Sequence, residues 1–274
     1  AELLATSTHS TAMLYYLDQA TSYAARLNEN YAREIMELHS LGVDGGYTQK
    51  DVTALASLLA GLTLSDEALA TGGGQYLQRV QRYDPALGDS SERRIAGMRF
   101  ASSKPEERHE RVEQAFALLA GHPSTARHVC RKLAEHYVSS PAPDELVDDL
   151  ARVFTENGGE LRAVLLAIAE HPAFWDAPAR VTTPFDYGTR LLRTVAGVEI
   201  EWALHEFLQA SGMGVFDRQS PDGYPDEDEA WVDSNCMLQR WNLSRRIPWY
   251  VRGLVPDGMR NTPIGDSAKW SQQI

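Results

Sequence analysis

Cysteine is nearly missing from this chain: Cys130 and Cys236 are the only two in 274 residues, and neither belongs to a CxxC pair. A zinc ribbon or a thioredoxin-type site is thereby excluded, which leaves one disulfide or two buried thiols. The apolar helical pattern around Cys130 favours thiols. Cationic charge is also short, with 26 Lys and Arg against 38 Asp and Glu, a net −12. That balance argues against a nucleic acid held through its phosphates and against an anionic membrane surface. No apolar run approaches the roughly 20 residues that cross a bilayer. Period-two alternation of useful length is missing, as are the HExxH, GxSxG and phosphate-loop signatures. The opening Ala1-Glu2-Leu3-Leu4 has no initiating Met and no basic leader. We read it as the C-terminal part of a longer exported precursor. On that reading the helices at 10–26 and 52–62 face elements outside this chain.

What is present is helical spacing. Leu14, Leu17, Ala20, Tyr23 and Ala24 follow Ser10 or Thr11 as a cap. Thr48-Gln49-Lys50-Asp51 is a capping-box variant opening an apolar helix through Val52, Leu55, Leu58, Leu59 and Leu62. Further helices are predicted after Pro105, from His122-Pro123-Ser124, from Asp144, over 161–170, from Thr183-Pro184, over 201–210 and over 231–246. Gly72-Gly73-Gly74, Pro85 and Gly88 break the pattern. The expected fold is all-α, about ten helices in one layered helical domain over 1–250. A long irregular insertion at 65–104 lies on its outside, and 251–274 is an irregular tail.

The most particular stretch is Asn28 to Thr48. It places Asn30, Arg33, Glu34 and Glu37 on about a third of a helix circumference. As chemistry, Glu34 and Glu37 would be a carboxylate pair tuned by Arg33, with His39 as ligand or base. His39 lies five residues after Glu34 and two after Glu37, so it points to another face. The structural reading is preferred: a buried polar network with Arg33 paired to carboxylates. The following Asp44-Gly45-Gly46-Tyr47-Thr48 loop is similar to half of a calcium-binding loop. Ser40 and Gly42 stand where oxygen ligands are needed, so neither a metal nor a cofactor is expected. Gly42 instead ends one helix and Thr48 caps the next.

These residues resemble a large bacterial family known as a domain of unknown function (DUF1800). The likeness rests on Asn28-Glu29-Asn30-Tyr31-Ala32-Arg33-Glu34, Glu37-Leu38-His39 and Leu41-Gly42-Val43-Asp44-Gly45-Gly46-Tyr47-Thr48. His122-Pro123-Ser124-Thr125-Ala126 and Pro221-Asp222-Gly223-Tyr224-Pro225 extend it. The chain departs from the pattern at Ser57, Ala60-Gly61-Leu62 and Tyr83-Asp84, where the family usually has Arg, Thr-Gly-Trp and His-Asp. The resemblance implies a periplasmic or secreted bacterial protein, encoded beside a sulfatase-like neighbour. Two functions follow as expectations. One is an exported helical interaction module acting with a partner protein, or with a missing N-terminal region of its own precursor. The other is a metal-dependent or carboxylate-based hydrolase around Glu34, Glu37 and His39.

Overall fold

The computed structural model describes residues 1–71, 74–194 and 201–250; the tail expected at 251–274 lies outside them. Among the described residues the chain is predominantly helical, with twelve α-helices and two two-stranded sheets. Backbone contacts divide it into two compact units, Ala1–Pro178 and Ala179–Ile274. The single domain expected over 1–250 drew no division at that point.

The first unit begins with α1 (Glu2–Thr8), α2 (Thr11–Tyr16), α3 (Asn30–Glu37) and α4 (Gln49–Leu59). Asp18, at φ 59°, ends the helical run that spacing extended to residue 26. Thr48 caps α4 with the full reciprocal box, its side chain accepting from the Asp51 N–H while Asp51 accepts from Thr48. The α3 residues Tyr31, Ile35 and Met36 pack with Leu55 and Leu59 of α4 and with Val112, Phe116 and Leu119 of α5 (Arg108–Ala120) in one core. The Tyr31 hydroxyl donates to the Thr8 carbonyl at 2.8 Å, and burial holds its phenol protonated well above the usual range. A second cluster joins α6 (Pro123–Tyr137), α7 (Asp144–Glu156), α8 (Leu161–Glu170) and α9 (Pro172–Trp175) around Cys130, Leu146, Leu150 and Ile168. The second unit packs α10 (Pro184–Arg193), α11 (Glu201–Ala210) and α12 (Ser234–Tyr250) around Phe207, Leu208 and Leu243.

The insertion is not irregular. It holds two antiparallel hairpins, β1 (Leu62–Thr71) with β2 (Gly74–Tyr83), and β3 (Arg93–Ile95) with β4 (Met98–Phe100). Thr71 pairs with Gly74 at the end of the first hairpin, and Gly72 and Gly73 lie outside the described residues. Nor does the insertion lie wholly outside: Ile95 and Phe100 are buried in the α3–α5 core. This also overturns the expected uncovered face of α4. Leu55, Leu58 and Leu59 are all at most 3% exposed, because α3, α5 and the β3–β4 hairpin pack around that helix within the chain. Leu62, which the expected helix included, opens β1 instead and is buried too.

Both cysteines are free and buried. Burial pushes the Cys130 thiol up to about 12. Burial, aided by a hydrogen bond to and the charge of Asp233, pushes Cys236 to about 11. Thiolate is the reactive form. Ellman's reagent at pH 8 is therefore expected to label neither thiol in the native protein and both in denaturant. Rapid native labelling of either would contradict the packing around it.

Candidate functional site: the polar face of α3

Helix α3 has sharply divided faces. Tyr31, Ala32, Ile35 and Met36 are buried, and Arg33, Glu34 and Glu37 lie on the half-exposed side. Arg33 is the main departure from expectation. Its side chain is 40% exposed, with its carboxylate partner Glu29 at 3.9 Å. It also donates to Gln49 Oε1 at 2.7 Å. The Gln49 amide in turn donates to Glu29 Oε2 at 2.5 Å, and the Thr53 hydroxyl donates to Glu29 Oε1 at 2.6 Å. The network is therefore real but lies at the surface. It runs through Glu29 and Gln49, which the sequence reading left out. Asn30 is exposed, and its backbone N–H donates to Asn28 Oδ1. Glu29 and Arg33 were legible as an i, i+4 pair. Gln49 and Thr53 arrive from α4, and no local signal announces them.

Tyr47 joins the face from the loop. Burial first, then the charge of Glu37, hold its phenol protonated, with Arg33 opposing and Glu34 adding; its hydroxyl donates to Glu37. His39 does not join. Its ring is partly buried, with Nδ1 shielded from solvent and unpartnered in the structure. Burial alone lowers its basicity, and no carboxylate contributes. A general base tuned by Glu34 or Glu37 would feel their charge.

The loop beyond α3 is a packing junction. Asp44 is exposed, and Gly45 is buried. The Ser124 hydroxyl donates to the Gly45 carbonyl at 3.0 Å, and His128 Nε2 donates to the Leu38 carbonyl at 3.1 Å. A side chain at Gly42 would meet the His128 ring, with Nδ1 only 2.8 Å away. His122 caps α6, its Nδ1 accepting from the Ser124 N–H. Residues 38–45 and 122–128 are thus brought together, although the two hydrogen bonds span 79 and 90 positions. At Asp51, Oδ2 accepts from Thr48 and Oδ1 from the Ala96 N–H. Burial works against the Asp51 charge, but these hydrogen bonds outweigh it and hold the carboxyl below its usual range. Both oxygens are taken up by protein donors. Among the described residues no group of three or more His, Cys, Asp or Glu could hold a metal ion. One further polar contact escaped the sequence: His9 Nε2 meets Glu113 Oε1 at 2.6 Å, tying α1 to α5.

A pair as exposed as Arg33 and Glu29 contributes about 0–1 kcal/mol. Arg33→Ala is accordingly expected to lower the melting temperature by roughly 4 °C at most. Calorimetry showing a much larger fall would return the network to a structural role.

In the comparison with protein families, the family described as "Protein of unknown function (DUF1800)" matches residues 1–272. No curated protein and no solved structure matches.

Proposed function

Since the chain belongs to the DUF1800 family, whose function is unknown, we propose from its own geometry that it is a helical interaction module. It works with a partner protein through the polar face of α3. The observation that supports this is the interlocked, half-exposed network of Glu29, Arg33, Glu37, Tyr47 and Gln49. Surface bonds of this kind add little to folding. They do hold long side chains in one arrangement, which lowers the ordering cost of forming a contact. Glu29, Glu34 and Glu37 outnumber Arg33, so the partner surface this face fits is cationic and rich in hydrogen-bond donors. An exported setting, periplasmic or secreted, rests on the family resemblance alone. No observation favours the hydrolase alternative, because His39 stands apart from Glu34 and Glu37 electrostatically.

The test is site-specific photo-crosslinking in the native host. A crosslinker at Lys50, exposed at the edge of the network, is expected to give one discrete heavier adduct. The same group at exposed Arg152 on α7 should give none, and Glu34→Lys with Glu37→Lys should abolish the Lys50 adduct. Equal adducts from both positions, or none from Lys50, would refute the assignment.

A further inference from the structure

A different surface, in the second unit, carries an inference independent of the α3 face. After α11 the chain runs Ser211-Gly212-Met213-Gly214-Val215-Phe216-Asp217. Phe216 is 101% exposed and held at φ 61°. Bulky L-residues avoid that conformation, and such outliers gather at ligand clamps. Burial offsets none of its cost here, since the ring lies wholly in solvent.

Gly214 and Asp217, which flank Val215-Phe216 in the chain, line a cleft of about 390 Å3 together with Gln209, Arg218, Ser220 and Tyr224 among others. Phe216 adjoins it through the chain and is not part of its lining. Gly214 forms its buried floor, and the Tyr224 hydroxyl pins that floor by donating to the Gly214 carbonyl at 2.7 Å. A Cβ on Gly214 would lie 2.5 Å from Asp217 Oδ2 and 2.6 Å from Gln209 Nε2. The carboxylate and the amide therefore converge over the glycine. Arg218 is matched by Asp222, with Nη2 at 3.1 and 3.2 Å from its two oxygens, and lies 6.0 Å from the Tyr224 ring centre.

We propose that this cleft binds a neutral oligosaccharide, with Phe216 as the stacking platform and Gln209 and Asp217 as the hydrogen-bonding floor. A carboxylate supplies acceptors only, whereas an amide supplies both donors and an acceptor, the complement that adjacent sugar hydroxyls require. An aromatic face packs against the C–H face of a pyranose, burying apolar area at little ordering cost. With Arg218 matched by Asp222, no cationic surplus remains to select a phosphate or sulfate. The polar lining likewise does not suit a lipid.

The experiment is calorimetric titration of the full chain with four neutral hexasaccharides: cellohexaose, laminarihexaose, mannohexaose and chitohexaose. Phe216→Gly and exposed Gln209→Ala are titrated in parallel. Glycine adopts positive φ freely, so Phe216→Gly should melt no lower than the parent while removing the platform. Saturable binding of at least one hexasaccharide is expected, weakened roughly tenfold or more in each variant. Absence of saturable heat with all four at millimolar concentration would overturn the proposal. So would parental affinity in either variant.

Discussion

Arg111→Ala is expected to destabilise the first unit by about 3 kcal/mol, the largest loss anticipated from removing any one polar side chain. Arg111 lies on α5 and is 6% exposed. It donates through Nη2 to the Ser91 carbonyl at 2.7 Å, and through Nη1 to Ser103 Oγ at 3.0 Å and the Asp89 carbonyl at 3.2 Å. Burial lowers its basicity, with the charge of Asp89 opposing, but a guanidinium stays charged in any protein. Truncation would orphan three acceptors and release the segment that feeds Ile95 and Phe100 into the core. Charge-assisted hydrogen bonds contribute about 1.5–3 kcal/mol each and are not additive within one network. In a unit of this size the loss corresponds to a fall of roughly 6–12 °C in melting temperature. Arg111→Lys should recover only part, since one ammonium cannot span three acceptors held by a fork. Thermal denaturation checks both variants. An Arg111→Ala melt within about 1 °C of the parent would mean the segment is held by other contacts.

Gly61→Ala is expected to cost about as much, roughly 3 kcal/mol, for reasons of shape alone. Gly61 joins α4 to β1 at φ 97°, and an L side chain there is strained before any contact is counted. A Cβ would then meet the Asp84 carbonyl oxygen at 2.6 Å and the Gly88 nitrogen at 3.2 Å. Both are backbone atoms at the base of the β1–β2 hairpin, where the Asp84 N–H donates to the Gly61 carbonyl at 2.7 Å. Neither can move without displacing the hairpin. Urea denaturation monitored by circular dichroism should show the midpoint falling with the slope unchanged. An unaltered midpoint would mean that the α4–β1 junction relaxes freely.

The two arginines show where reading the sequence stops. Arg33, on a polar stripe among glutamates, looked like the centre of a buried network, yet it is 40% exposed. Arg111, within Arg108-His109-Glu110-Arg111-Val112, was not singled out by any sequence signal, yet it is buried. Helical spacing tells which residues share a face. It does not tell which faces a distant segment will cover, and here residues 89–103 cover Arg111.

Much of what is decided within about four residues was present in the sequence alone. The Thr48 box, the Thr183 cap with Pro184, the His122 cap and the division of α3 into polar and apolar faces follow from hydrogen bonds and periodicities that span one helical turn. The helical class follows from the same signals. The hairpins needed tertiary structure. β1 reads Leu-Thr-Leu-Ser-Asp-Glu-Ala-Leu-Ala-Thr, rich in residues that strands disfavour and without clean alternation. At the β3–β4 turn, Ala96 and Gly97 stand at φ 47° and 81°, with no Asn or Asp to announce a reversal. The acid that steadies this turn is Asp51, accepting the Ala96 N–H from forty-five positions away. Coverage of α4, burial of Arg111 and the meeting of residues 38–45 with 122–128 are of the same kind. Each depends on contacts between segments whose approach costs chain entropy, and that cost is offset only when the whole core closes at once.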